Sequence, residues 1–212
     1  MTLPSTLDRR AALKARHRQA ILDAADDLIR ERGNPRFSVD ELAARADVAR
    51  RTIFNHFSSL DEIVLVTCTR VITESVDEFR AATVAAPAGD RSRDALFAEI
   101  SHAVRSMDLP AVIAYLWGVL ADDSDGVRPP LAVQDVFARA TEELSLEIAR
   151  RSDDLDSFEA ELLVSTLMNG VAVAARHWII QTGAALDPRS RAAWDVLLDR
   201  LLSAVRAGYA SP

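Results

Sequence analysis

Residues 36–62 read RFSVDELAARADVARRTIFNHFSSLDE, and this stretch decides the fold. Ser38 and Glu41 have the spacing of a capping box, which predicts a short helix that begins directly after Ser38. The turn at residues 46–49 separates this helix from a second short one that begins at Arg50. A longer helix precedes both, so the stretch has the dimensions of a helix-turn-helix.

The second short helix has two distinct faces. Ile53 and Phe57 are four residues apart and are both apolar, so they are expected to point toward the core. At about 100° per residue, Arg51 and Asn55 then lie on the opposite, outward side. This helix is therefore the candidate element for binding a partner molecule at the protein surface.

The outward and flanking side chains are of the types that contact DNA. Arg51 can bind guanine with two hydrogen bonds and Asn55 can bind adenine, while Thr52 can contact phosphate and Phe54 can pack on a sugar or a thymine methyl group. Arg50 lies nearer the core side but is long enough to reach a phosphate or a base. The open alternative is that the two arginines form an ordinary solvated pair.

Charge is unevenly distributed along the chain. The net charge is −7, yet residues 1–59 hold 11 Arg and Lys against 8 Asp and Glu, so the excess of acid lies in the remainder. A basic end on an acidic body suits a protein that touches a polyanion through one end only. Charged termini also occur simply for solvation.

Helical spacing of apolar residues recurs along the whole sequence, and alternating strand patterns are scarce. The pattern predicts an all-α protein of about nine helices. The first runs over about 11–32, a long apolar helix over about 155–181, and breaks are expected at 86–89 and 122–130. On the sixth helix we expect an inward face, composed of Ile113, Leu116, Trp117 and Leu120.

Composition excludes several classes of protein. The longest uncharged run, 162–175, is too short and too polar for a membrane span, and the N-terminus lacks the apolar region of a secretory signal. A single cysteine, Cys68, cannot form an internal disulfide, which favours a cytoplasmic location. The sequence shows no catalytic constellation, no metal-ligand spacing and no cofactor motif, so we expect neither an enzyme nor a metal site.

Four runs in the N-terminal part, taken in order, resemble the DNA-binding head of TetR-family repressors: ILDAA (21–25), ERG (31–33), SVDELAARA (38–46) and TIFNHF (52–57). The resemblance implies a dimer, in which the last two helices form a four-helix bundle with those of the partner. It also implies a small-molecule pocket inside the C-terminal body. We therefore expect a DNA-binding domain at 1–60 and a ligand-binding and dimerisation domain at 61–212.

The same resemblance assigns roles to individual residues. Thr52 and Phe54 fall where the family contacts DNA, and Arg50 and Arg51 fall where it often reads bases. Ser38 falls where a hydroxyl group both caps a helix and touches a phosphate.

Three positions depart from the family pattern. Asp47 stands where glycine is usual in the turn, and Ala49 stands where a hydroxyl often caps the recognition helix. Leu60 stands in place of a lysine that contacts phosphate. These changes are expected to weaken DNA binding, and the basic residues between positions 9 and 18 either compensate for them or form a solvated tail.

The C-terminal body offers less specific signals. The apolar and aromatic candidates for lining a ligand pocket are Phe97, Tyr115, Trp117, Phe137 and Met168. Asn169 and His177 are the polar groups expected to line the pocket or to pair across the dimer. Each aromatic residue at helical spacing is equally compatible with an ordinary core position.

These observations predict a ligand-responsive transcriptional repressor that binds a palindromic operator in double-stranded DNA as a homodimer. A small, lipophilic effector molecule would release it, and no membrane is involved. The alternative is an architectural or division-linked DNA-binding protein on the same scaffold, without a ligand. An all-α interaction protein that does not bind DNA would show no salt-dependent binding to a duplex.

Overall fold

The computed structural model describes residues 6–84, 92–120, 131–151 and 155–209. All secondary structure within these ranges is helical, as the sequence predicts, whereas the breaks expected at 86–89 and 122–130 lie outside the described residues. The nine helices are α1 (Thr6–Arg32), α2 (Val39–Arg45), α3 (Arg50–His56), α4 (Leu60–Val84), α5 (Arg93–Ser106), α6 (Leu109–Leu120), α7 (Leu131–Arg151), α8 (Ser157–Thr182) and α9 (Pro188–Tyr209).

The three N-terminal helices pack on one another around an apolar stripe of α1. Ile21, Ala25 and Ile29 of this stripe are at most 1% exposed. α1 ends at Gly33, whose positive φ of 67° closes the helix, with the Gly33 N–H donating to the Ile29 carbonyl at 2.8 Å. The helix begins at Thr6, five residues before the predicted start, because no breaker separates residues 6–10 from the stripe.

The first half of α4 completes the core of this N-terminal part. Ile63, Thr67 and Cys68 are fully buried along one side of α4. The Thr67 hydroxyl donates to the Ile63 carbonyl at 2.8 Å, so its burial leaves no unsatisfied donor. Burial raises the pKa of Cys68 to about 12, and the residue is an inert thiol in a helix.

In the C-terminal part, α8 packs against both α7 and α9. Trp178 of α8 is fully buried, lies edge-on to Trp194 with ring centroids 6.2 Å apart, and donates its indole N–H to the Ser190 carbonyl at 2.6 Å. Asp156 caps the start of α8, and Gly183, with φ of 63°, ends it as predicted.

The predicted inward face of α6 is wrong in part. Pro110, Tyr115 and Val119 are the buried residues of this helix, whereas Trp117 is 40% exposed. The reason is that α6 carries no charged residue, so its sequence offers no polar face from which the buried side could be inferred.

The chain divides into two compact units. One comprises Met1–Arg70 with Gly118–Arg128, and the other comprises Val71–Trp117 with Pro129–Pro212. The boundary between them falls within α4, which contributes to both. The functional division at residue 60 that the resemblance implies stays a prediction.

By length and composition alone, α8 is long and apolar enough to cross a membrane. The pair of α5 and α6 passes the same test if the two helices are counted as one span, although they are bent by 58°. The lack of a long uncharged run is therefore not sufficient to exclude a membrane span. A helix that contains an occasional charged residue can still have a high mean hydropathy. Leu163, Leu167 and Trp178 of α8 are nevertheless buried in the core that it shares with α7 and α9.

Candidate nucleic-acid interface

A reciprocal capping box fixes the start of α2. The Glu41 backbone N–H donates to the Ser38 hydroxyl at 3.2 Å, and the Ser38 N–H donates to the Glu41 carboxylate at 2.8 Å. Arg32 of α1 donates to the same carboxylate at 2.7 Å. Together these hydrogen bonds lower the pKa of Glu41 to about 2, so its carboxylate is charged at neutral pH. Ser38 is thus held at the N-terminus of α2, with its side chain already engaged as a cap.

The turn between α2 and α3 depends on one left-handed residue. Asp47 has φ of 51°, which lets the Val48 N–H reach the Ala43 carbonyl at 3.1 Å. Ala49 is the N-cap residue of α3 and makes no side-chain hydrogen bond to the helix. The two departures from the family pattern therefore have the structural consequences that their residue types predict.

The two faces of α3 lie as the periodicity predicts. Ile53 is 1% exposed and Phe57, which follows the helix, is 2% exposed, so both are anchored in the core. Arg51 and Asn55 are exposed on the other side. The α3 backbone is thus fixed by apolar packing, while its outward side chains are free to contact a partner.

The remaining predicted DNA contacts flank this outward face. Thr52 is half-buried, and Phe54 is 49% exposed, which is unusual for a phenylalanine in a folded domain. Arg50 extends back to α2, where its guanidinium contacts both oxygens of Asp40, at 3.1 and 3.2 Å. The sequence analysis did not identify Asp40 as a partner of Arg50, because only the turn brings residues ten positions apart together.

Bidentate pairing attaches α2 to α1. Arg45 donates through both terminal nitrogens to the Glu31 carboxylate, at 2.7 and 2.8 Å, and this hydrogen bonding lowers the pKa of Glu31. This pair and the pair between Arg32 and Glu41 join α1 to α2 on the surface. Both pairs help to hold the helix-turn-helix as a rigid frame.

The candidate ligand-binding residues fall into two groups. Phe97 and Met168 are half-buried against the C-terminal core, and Tyr115 is 7% exposed. Trp117 and Phe137 are 40% and 37% exposed. The structure therefore places three of the five apolar candidates in or against the interior and two nearer the surface.

The two polar candidates both lie on the exposed side of α8. Asn169 donates its side-chain N–H to the Ser165 carbonyl at 2.9 Å, one turn earlier, and His177 is exposed. Their neighbours on this side of α8 include Val173 and Ile180, which are 50% and 75% exposed. Their two predicted roles, lining a pocket and pairing across a dimer, stay predictions.

No cluster of three or more His, Cys, Asp or Glu side chains that could hold a metal occurs within the described ranges. The site consists instead of outward-facing polar and aromatic side chains on a short helix that is anchored by its apolar side. This arrangement defines a helix-turn-helix reader of nucleic acid.

Comparison with known proteins shows which proteins the chain is similar to. Residues 21–66 match the sequence model described as "Bacterial regulatory proteins, tetR family". The HTH-type transcriptional regulator TcmR of Streptomyces glaucescens is 26% identical over 207 residues, which cover 93% of this chain and 88% of that protein. These similarities support a TetR-family transcriptional regulator, with the helix-turn-helix inside the matched residues 21–66.

Solved structures support the same fold over nearly the whole chain. A TetR-family regulator from Mesorhizobium loti is 15% identical, with a TM-score of 0.66, over 92% of this chain and 96% of that one. The multidrug binding protein EbrR, solved as a complex with imidazole, is 25% identical, with a TM-score of 0.54, over 87% of this chain and 93% of that one.

Proposed function

We propose that this protein is a ligand-responsive transcriptional repressor that binds a palindromic DNA operator as a homodimer and is released by a small lipophilic molecule. The observation that carries the proposal is the two-faced α3 helix. Ile53 anchors it, while Arg51 and Asn55 point outward. Arginine and asparagine can each make paired hydrogen bonds to one base edge in the major groove.

Dimerisation is supported by a large apolar strip on α8. Phe158, Leu162, Val173 and Ile180 are between 47% and 75% exposed, and they recur at helical spacing on one side of the helix. Val196 on α9 is 59% exposed. Apolar exposure of this extent is typical of an interface rather than of a solvated surface, and a two-fold dimer would place two α3 helices on two half-sites.

Effector binding is supported by the apolar interior of the C-terminal unit. Phe97, Tyr115 and Met168 lie in or against this interior and would contact an apolar molecule there. A known relative in fold, EbrR, is a multidrug binding protein by name. We assign the C-terminal unit to effector binding, the N-terminal unit to DNA, and the protein to the cytoplasm.

Selection of bound sequences from a pool of random duplexes tests the proposal. We expect the enriched sequences to contain an inverted repeat whose half-site centres are about one helical turn, or a multiple of it, apart. A pool that shows no enrichment, or enrichment of a single unpaired half-site, would contradict the proposal. Release of the selected duplex by apolar compounds then tests the effector, and failure of a broad panel would favour the ligand-free alternative.

A further inference from the structure

Several arginines of the N-terminal unit are paired with carboxylates. Arg32, Arg45 and Arg50 pair with Glu41, Glu31 and Asp40. Lys14 and Arg18 of α1 make no ion pair with any described residue. Cations without an ion pair therefore remain on α1.

These cations lie close to the end of α3. His17 of α1 and His56 of α3 are edge-to-face, with ring centroids 6.2 Å apart. The Arg18 guanidinium lies over the Phe57 ring, 4.8 Å from its centroid. Lys14 precedes His17 by three residues and Arg18 by four, so all three lie on the same side of α1. We call Lys14, His17, Arg18 and His56 the α1–α3 basic cluster.

The surroundings of His56 favour its neutral form. Its ring is half-buried, and Nδ1 is buried without a hydrogen-bond partner among the described residues. Burial lowers the pKa of His56, and the nearby positive groups of Lys14, His17 and Arg18 lower it further. From α4, Glu62 interacts with Arg18, but its carboxylate is already held by the backbone N–H and the hydroxyl of Ser58, both at 2.6 Å.

We propose that the α1–α3 basic cluster binds a backbone phosphate of DNA and takes up a proton on His56 as it does so. The proposal rests on DNA binding through α3, and it assigns a contact outside the base-reading face. The cluster lies at the C-terminal end of the same helix that presents Arg51 and Asn55. Phosphates border the groove that such a helix enters, so a cluster at the end of α3 can meet the backbone while the helix reads bases.

Proton uptake follows from the charge balance. In the free protein, like charges and burial oppose protonation of His56. A phosphate would offset this repulsion and raise the pKa of His56 in the complex. Because the pKa is higher in the complex than in the free protein, affinity must increase as the pH falls between these two values.

The test uses the full chain and a fluorescently labelled duplex of mixed sequence, with anisotropy titrations at several salt concentrations, at about pH 8 and about pH 6. We expect binding to be about three- to tenfold tighter at the lower pH, which corresponds to an average uptake of roughly 0.25–0.5 proton over these two pH units. In His56→Gln and His17→Gln this dependence should be reduced or lost. Melting curves identify any variant that is not folded, and the two histidine variants serve as independent probes.

A matched pair of charge variants locates the contact. Lys14→Gln should make the slope of log K against log salt shallower by about 0.9 for each head, because one phosphate contact is lost. Arg16→Gln removes the same charge from the same helix, but it lies roughly 200° around α1 from Lys14 and should change the slope less.

Equal effects of Lys14→Gln and Arg16→Gln, or an unchanged pH dependence in both histidine variants, would overturn the inference while leaving DNA binding intact. A wild-type chain that binds no duplex at low salt would overturn the proposed function as well. The two failures are therefore distinguishable.

Discussion

Asp47 shows how one residue sets the geometry of the reader. Its φ of 51° lies in the left-handed region, where residues other than glycine are strained. Aspartate tolerates this region better than most residues, which explains how the turn forms without the glycine that is usual in the family. The sequence predicts this strain, because the motif fixes which residue must be left-handed.

Replacing Asp47 tests this interpretation. Asp47→Gly should stabilise the protein by roughly 0.5–1 kcal/mol, because glycine adopts a positive φ without the steric penalty. Asp47→Ala retains the Cβ and loses the polar side chain, so it should not stabilise. Urea unfolding of the three proteins measures the difference. Equal stabilisation by glycine and alanine would show that the carboxylate, not the backbone, is unfavourable there.

Glu41 gives the N-terminal unit a defined response to acid. Its pKa is lowered from 4.5 to about 2 by the hydrogen bond from Arg32 and by the cap at Ser38. A lowered pKa means that the stabilisation is present above about pH 4.5 and is lost as the pH falls toward 2. Wild-type melting temperature should therefore fall over this range more steeply than that of Glu41→Gln, which cannot titrate there. Parallel curves for the two proteins would contradict the assignment.

At the scale of elements, the sequence predicts the helices well but not all of their buried faces. Amphipathic helices such as α1 have a polar side that identifies the apolar one. The uniformly apolar α6 has none, so the burial of Tyr115 and the exposure of Trp117 depend on tertiary contacts that the sequence does not show. The outward face of α3 could be predicted because two apolar anchors four residues apart fix the rotation of the helix.

Two glycines in helices provide a matched test of close packing. A Cβ added at Gly118 of α6 would lie 2.2 Å from the backbone oxygen of Gly33, which cannot move without shifting the end of α1. A Cβ at Gly170 of α8 would lie 2.2 Å from Cδ1 of Leu201, the flexible end of a side chain. Gly118→Ala should therefore destabilise the protein by about 1–3 kcal/mol.

Gly170→Ala should cost much less, because a rotamer change of Leu201 relieves the contact and alanine favours the helix by about 0.5–1 kcal/mol over glycine. Thermal or urea unfolding of both variants provides the comparison. If Gly170→Ala is the more damaging substitution, the close approach of α6 to the end of α1 is not as rigid as the structure implies.

At the scale of the whole molecule, the exposed strip on α8 predicts the oligomeric state. Ile180 is 75% exposed within that strip, whereas Leu146 of α7 is 50% exposed outside it. Ile180→Glu should convert a dimer into a folded monomer, because a buried interface cannot accommodate an unpaired carboxylate. Leu146→Glu should leave the dimer intact. Sedimentation velocity measures the oligomeric state of both variants. If the two variants have the same oligomeric state, the dimer interface lies elsewhere.

The charge split and the motif spacing identify the N-terminal part as the nucleic-acid reader from sequence alone. The effector site could be predicted only as a list of apolar residues, because aromatic residues at helical spacing occur in cores and in pockets alike. The α1–α3 basic cluster could not be predicted, since His17 and His56 are brought together only when α3 packs on α1.

The most direct test of the account is the specificity of the Arg51→Ala variant. On a duplex that contains the selected inverted repeat, we expect the variant to bind more weakly by about 1–3 kcal/mol, roughly 5- to 150-fold, with an unchanged melting temperature. On a scrambled duplex the loss should be much smaller. Ile53→Ala, as the buried control, should instead lower stability by about 2–5 kcal/mol. Equal losses for Arg51→Ala on both duplexes would mean that Arg51 contributes only charge, and that the outward face of α3 does not read sequence.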